Sequence, residues 1–298
     1  MSAYRKYYLD NCIVAERRDQ RPHIGKDSSD CPFCLSNESK IEQVIDEVWE
    51  DEALLVRIIP NKYPIARPEG LTTGYHDVVI DTGEHLKMPK DFSLHHWKVL
   101  LLAIQRRWHK LSEDEQIAFI QVFKNKGQLA GASIYHSHWQ IVALAKVPFG
   151  MRIQYDYYHH KNKLCFLCEK MHLLEARLIK ETALWRMIVP PEPSFLYEVW
   201  FIPKRHVRHY GELVEEEIEE LGAWMKKLLQ VYEALSPECA YNICFMSGDL
   251  KQRWQYHFHI KLMMRMDYIA GFEIATRCTI HHRTIDEYAF QIKKLLDK

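Results

Sequence analysis

Cys31-Pro32-Phe33-Cys34, His85 and His136-Ser137-His138 form a series that recurs later in the chain as Cys165-Phe166-Leu167-Cys168, His206 and His257-Phe258-His259. The first cysteine and the lone histidine are 54 residues apart in the first series and 41 in the second. The lone histidine and the following HxH are 51 apart in both. Repetition of one order of residue types at similar intervals marks two copies of one structural plan. It puts a division near residue 155, in the polar, Tyr- and His-rich stretch 151–163, and predicts two domains, 1–155 and 156–298.

The segments between these landmarks follow the same order in each copy. In the first, His76–Ile80 and Ile117–Phe123 read as strands, and Ser93–Leu111 has helical periodicity with Ser93 as its N-cap. Gln140–Ala145 is a short apolar strand entered directly from the HxH. In the second, Leu196–Ile202, Tyr241–Met246 and Phe258–Met264 read as strands. Leu213–Leu235 is an amphipathic helix whose acidic first turns, Glu215 to Glu217, complement its dipole. The expected class is α+β: two tandem units, each an antiparallel sheet with a packed helix. No GxGxxG or P-loop pattern occurs.

The 298 residues contain 40 Lys+Arg and 40 Asp+Glu. A balanced charge argues against nucleic acid or an anionic membrane as the main partner, but leaves room for a small anionic ligand. No stretch approaches the roughly 20 apolar residues of a membrane span, and Met1–Cys12 has no apolar signal core. CxxC pairs in such a chain suggest metal or redox chemistry instead of a disulfide framework, and a cytoplasmic location is expected. Cys12, Cys239, Cys244 and Cys278 are scattered and read as small core residues.

Two thiolates and two imidazoles suit tetrahedral zinc. Cys31, Cys34, His85 and His136 are assigned to one ion. A second ion would use Cys165, Cys168, His206 and His257, although His209 competes with His206. With four protein ligands each, both ions would be structural. A redox role for either CxxC lacks the surrounding βαβ pattern.

The densest chemistry lies between Asn125 and Gln140. Residues on a strand alternate faces, so His136, His138 and Gln140 are expected to point the same way. Three polar side chains at period two mark a site more readily than a core. Asn125, Lys126, Gly127, Gly131 and Ser133 precede them with amide, ammonium, hydroxyl and backbone donors that suit a phosphate. A neutral imidazole is a good phosphoryl nucleophile near neutral pH. With His136 held by metal, His138 would be free to attack, and Gln140 could orient a phosphoryl oxygen. Gln cannot act as a general acid, so transfer between phosphates, whose leaving group needs no proton, fits better than ester hydrolysis.

Asn125-Lys-Gly, Gly131-x-Ser133 and His136-x-His138-x-Gln140 together resemble the galactose-1-phosphate uridylyltransferase group, which also holds ADP-glucose phosphorylase and is a branch of the histidine-triad superfamily. Glu16–His23, Pro60–Pro64, His76–Ile80, Ile202–His206 and Ala270–Glu273 match as well, so the resemblance covers nearly the whole chain. It implies a nucleotidyltransferase that moves UMP or AMP between a sugar 1-phosphate and another phosphate through a nucleotidyl-histidine on His138. It implies phosphate contacts from Gln140, Ser133 and Arg21, and a nucleoside pocket around Asn61. It also implies a nucleotide sugar and a sugar phosphate or phosphate acceptor as partners, with pairing of two copies of the chain.

Four departures stand out. The residue between the histidines is usually Pro and here is Ser137. Trp139 replaces a small residue and is expected to reshape the pocket. Lys261 stands where a second-copy Gln would be, so the second half reads as non-catalytic. Arg277-Cys278-Thr279 occupies the stretch where the family's sugar-contacting Gln would lie. Two alternatives use the same residues differently: a dinucleoside polyphosphate phosphorylase or hydrolase, and a zinc-stabilised nucleotide-binding protein without catalysis. His95 and His96 read as surface or groove residues of the first helix.

Overall fold

Extended apolar segments in each half pair edge to edge into one sheet. The computed structural model describes residues 13–15, 17–160, 165, 167–169, 174, 177–252 and 256–298. Cys12 lies outside them. The strands are β1 (Asp46–Glu50), β2 (Ala53–Pro60), β3 (Gly74–Ile80), β4 (Phe119–Lys126), β5 (His138–Leu144), β6 (Leu178–Glu181), β7 (Trp185–Ile188), β8 (Val199–Pro203), β9 (Ala240–Met246) and β10 (His259–Arg265). The described helices are α1 (Leu94–Ser112), α2 (Phe149–His160), α3 (Glu215–Leu235), α4 (Gly271–Thr276) and α5 (Ile285–Leu296).

The spatial order is β1-β2-β3-β5-β4-β9-β10-β8-β7-β6, antiparallel at each pairing. Read from its outer edge, each half has the same order, 1-2-3-5-4 and 6-7-8-10-9. The halves meet where β4 pairs β9, with Phe123 opposite Cys244 and Asn125 opposite Asn242. The two expected sheets are therefore continuous. Because the seam is antiparallel, the start of β5 and the start of β10 lie toward opposite ends of the sheet.

Strand alternation sorts the two faces. Val79, Val122, Trp139, Ile141, Ile243, Phe245, Ile260 and Phe201 lie on one face and bury against α1 and α3 in the main core. The stripes of both helices come from residues at helical spacing, such as Trp97, Leu100, Leu101 and Ile104 in α1. The opposite face carries the HxH turns. There Val78 and Ile80 pack on Phe33 and the first cysteine pair, and Val142 and Leu144 pack on Met151 and Tyr155 of α2.

Caps fix the helix ends. Ser93 Oγ accepts the His96 N–H at the start of α1. Thr284 and Glu287 form a reciprocal capping box at α5. Glu215 and Glu216 at the start of α3 are exposed, while Glu217 is buried and accepts from Arg205.

Two expectations need correction. Cys278 is exposed and not a core residue; it follows the short α4 in an open segment. His96 is buried and not at the surface: it stacks on Phe92 at 4.0 Å and Nε2–H points to the Asp81 and Leu55 carbonyls. One residue's difference in helical phase separates it from the exposed His95, which meets Glu50.

Replacing Ser93 with Ala removes one N-cap acceptor. The expected loss is about 1 kcal/mol of stability, read as a lowered urea midpoint with an unchanged m-value.

Candidate active site

The polar side chains of the first half converge at the start of β5. His138 is the first residue of that strand, pairs with Ile80 and shares its face with Gln140. Its Nδ1 lies 2.8 Å from the His136 carbonyl oxygen. A carbonyl only accepts, so Nδ1 carries the proton and Nε2 keeps its lone pair. Burial lowers the pKa of His138 to about 4, with the Lys124 ammonium as the next cause. The ring is therefore neutral near pH 7. Phe33 meets its edge at 5.2 Å.

The same logic orients the cysteine–histidine cluster. His136 Nε2–H donates to Thr82 O at 2.7 Å, and His85 Nε2–H to Gly25 O at 3.1 Å. Both rings therefore turn an unprotonated Nδ1 toward the thiols. His136 Nδ1 lies 3.6 Å from Cys31 Sγ and 3.6 Å from Cys34 Sγ, and His85 Nδ1 lies 3.3 Å from Cys34 Sγ. The four ligand atoms are all within 4.8 Å of one another. Burial pushes the Cys31 thiol up to about 11, so without a cation this pocket favours the neutral thiol.

The second half repeats this geometry. Cys165, Cys168, His206 and His257 form an equivalent cluster with sulfur–nitrogen distances of 3.6, 3.3 and 3.3 Å. His257 Nε2–H donates to Pro203 O. His206 is the residue brought to the cluster; His209 stacks on Trp108 instead. Both clusters could hold a metal. His259 Nδ1–H donates to His257 O at 3.0 Å, as His138 does to His136. Its Nε2, however, is buried without a hydrogen-bond partner among the described residues. Trp200 covers the ring at 4.8 Å, and the Lys261 ammonium sits 4.5 Å from the Trp200 ring centre.

Gln140 is held by a residue that the motif does not include. The Ile65 N–H donates to His76 Nδ1 at 3.1 Å, so His76 Nε2 carries a proton and donates to Gln140 Oε1 at 3.0 Å. The Gln140 amide nitrogen is left to donate elsewhere. The Asn61 backbone N–H donates to the His76 carbonyl at 2.8 Å, which brings Asn61 beside the group. The neighbouring cations Arg18 and Arg21, after burial, contribute to lowering the pKa of His76 to about 4. Strand periodicity in His76–Ile80 assigns His76 to the Gln140 face, but its pairing register is not legible from spacing.

The remaining site candidates separate. Asn125 lies on the His138 face, where its Oδ1 accepts from Asn242 across the seam at 2.8 Å. Lys126 lies on the other face and donates to Cys239 O at 2.8 Å, so the structure does not bring its ammonium to His138. Gly127 adopts φ 82°, a left-handed conformation that glycine favours, and approaches Ala240 closely. The Ser133 carbonyl accepts from the Ile24 N–H, which ties the approach segment containing Arg21 to the loop before the HxH. Trp139 is fully buried in the helix-side core. Its bulk therefore does not reshape the pocket, because strand alternation turns it away from His138 and Gln140.

An antiparallel sheet with two HxH turns, each beside its own Cys2His2 cluster, defines a tandem protein of the histidine-triad type. Residues 14–147 match a family model described as the N-terminal domain of DUF4931, a domain of unknown function. The chain is 30% identical over 277 residues to ADP-glucose phosphorylase of Arabidopsis thaliana, covering 85% of this chain and 78% of the relative. It is 24% identical over 306 residues to galactose-1-phosphate uridylyltransferase of Thermotoga maritima, covering 96% and 95%. The crystal structure of an Arabidopsis thaliana ADP-glucose phosphorylase with bound ADP-glucose superposes with a TM-score of 0.81 at 27% identity, over 93% of each chain. The chain belongs to the family of ADP-glucose phosphorylases and galactose-1-phosphate uridylyltransferases.

The depressed pKa of His76 links stability to pH. Between pH 6.5 and about 4 the unfolded chain binds a proton here that the folded chain does not. Stability therefore falls as pH falls through this window, by on the order of 3 kcal/mol from this residue. Urea unfolding from pH 7 to pH 4 is expected to show a shallower acid loss in His76→Gln than in the unchanged chain. Parallel curves would refute the assignment.

Proposed function

We propose that the protein transfers a nucleoside monophosphate, UMP or AMP, between a sugar 1-phosphate and a second phosphate acceptor, with His138 as the covalent carrier. The observation that carries this reading is the fixed tautomer of His138: Nδ1–H on the His136 carbonyl and a free lone pair on Nε2, beside an amide-presenting Gln140. Nε2 attacks the α-phosphorus of a nucleotide sugar. A phosphorus–nitrogen bond forms and the bond to the bridging oxygen breaks, and the sugar 1-phosphate leaves without needing a proton. The second phosphate then attacks the same phosphorus and releases the imidazole. The proton stays on Nδ1, hydrogen-bonded to the His136 carbonyl, throughout, and the Gln140 amide orients a phosphoryl oxygen. Arg21, Ser133 and Asn125 are assigned to phosphate contacts, with the Gly127 backbone beside them. Asn61 is assigned to the nucleoside pocket. Lys126 is left to support the sheet seam.

Zinc is the metal these clusters fit. Zinc–sulfur bonds of about 2.3 Å and zinc–nitrogen bonds of about 2.0–2.1 Å at tetrahedral angles put S and N about 3.6 Å apart, close to the 3.3–3.6 Å found here. Cys31, Cys34, His85 and His136 would hold one ion, and Cys165, Cys168, His206 and His257 the other. Each ion would supply a rigid cross-link and no open coordination position. We place the domain division near residue 155. CxxC pairs kept as thiols suit the cytoplasm, and a dimer is the expected assembly, checked by light-scattering mass.

Intact-protein mass spectrometry after mixing with ADP-glucose, UDP-glucose or UDP-galactose, quenched at alkaline pH, is expected to show an AMP or UMP adduct that His138→Gly lacks. Substantial transfer by His138→Gly would overturn the nucleophile. A diadenosine polyphosphate as the sole productive donor would point to the phosphorylase or hydrolase reading, and no adduct at all to a binding protein.

Elemental analysis is expected to find two zinc ions per chain. Cys31→Ser should lower this by one; an unchanged count would refute that ligand set.

A further inference from the structure

Behind the HxH turn, on the helix side of the sheet, lies a fully buried ion pair. Lys124 donates to Asp81 Oδ2 at 2.9 Å, to Ser137 Oγ at 2.7 Å and to the His138 carbonyl oxygen at 3.0 Å. Ser137 Oγ–H also donates to Asp81 Oδ2 at 3.1 Å. The pair is 1% and 0% exposed. Asp81 Oδ1 has no hydrogen-bond partner among the described residues, so the group is not fully compensated.

The second half is an internal control for what this network does. Trp139 pairs with Lys124 and Val79, and Ile260, which also follows an HxH, pairs with Phe245 and Phe201. That register equates Lys124 with Phe245, and Asp81, two residues beyond Val79, with Pro203. Ser137 corresponds to Phe258. The ammonium–carboxylate–hydroxyl group of the first half is thus replaced by apolar residues, with Phe245 and Phe258 in edge contact at 5.8 Å. The second half nevertheless keeps the HxH bond, the cysteine–histidine cluster and the sheet register. None of these needs a buried ion pair. Replacing such a pair with packed apolar groups is often neutral or stabilising, so stability does not account for its retention.

We propose that Lys124, Asp81 and Ser137 are positioning residues that clamp the backbone around His138, from the Ser137 hydroxyl to the His138 carbonyl, and thereby aim Nε2 of His138 at the α-phosphorus. The inference rests on the reading of His138 as nucleophile. All three polar groups grip the turn from behind, and the His138 carbonyl is one of their acceptors. The imidazole is thus held from both sides: by the His136 carbonyl through Nδ1, and by Lys124 through its own backbone. Sub-ångström control of a reacting atom is what such a clamp provides, and its loss commonly costs one to two orders of magnitude in rate.

The test is the double variant Lys124→Met/Asp81→Leu, which removes both charges together and leaves neither uncompensated. Expected are an unfolding midpoint no lower than that of the unchanged protein, the same metal content, and donor KM within about twofold. The single-turnover rate of adduct formation should fall about 10- to 100-fold. Ser137→Ala should show a smaller fall of the same kind. An undiminished rate in the double variant overturns the clamp. A double variant that unfolds or loses metal overturns it too, because the network would then be structural. If the unchanged protein forms no adduct, the reading of His138 fails, and this inference with it; a normal adduct with an undiminished variant removes the clamp alone.

Discussion

A hydrogen bond between a histidine ring and the carbonyl two residues before it fixes which nitrogen of that ring keeps its lone pair. Imidazole has two nitrogens and one proton, and a peptide oxygen can only accept. Once Nδ1 of His138 is committed to the His136 carbonyl, the lone pair must be on Nε2. The bond exists only if the HxH backbone is held in one conformation. The cysteine–histidine cluster holds it through His136, strand pairing holds it from His138 onward, and burial keeps the ring uncharged. Most of what surrounds β5 can be read as enforcing that one tautomer.

The same reasoning distinguishes the halves. His259 makes the equivalent bond and so has the equivalent lone pair. The difference lies in what faces it. Around His138 the strand face presents Gln140, with His76 behind it, and Asn125. Around His259 the corresponding positions carry Lys261 and Met246, and Trp200 closes over the ring. His138 lies beside a carboxamide held by an imidazole, whereas His259 lies beneath an indole that an ammonium also approaches. Both halves keep the strand order and the cysteine–histidine cluster, and they differ in what surrounds the second histidine of the HxH.

Features with local physical causes were legible in the sequence. Ser93 caps α1 as its residue type and position imply, and the eight ligands of the two clusters come together as their repeated order implies. Strands flanking each HxH fall within a few residues of their expected limits. Partnerships across the sheet were not legible. Nothing in the sequence singles out Lys124 until the register pairs it with Trp139 and brings its ammonium to Asp81. His76 looks like the first residue of an apolar strand until β3 pairs with β5 and puts it against Gln140. Trp139 was misjudged for a related reason: a bulky neighbour in sequence is, on a strand, a resident of the opposite face. His96 shows the helical counterpart, since one step in phase moved it from solvent to core.

The seam between β4 and β9 has a further consequence. Phe123 to Lys126 have their main-chain partners in Cys244 to Tyr241. A strand edge with unpaired amides and carbonyls is a template for pairing with other chains. Cut from its companion, the first half would present such an edge along Phe123 to Lys126, directly beside β5. The second half is therefore a permanent cover for the first. It occupies the place where edge-to-edge pairing would start, so the first half needs its neighbour whatever side chains that neighbour carries.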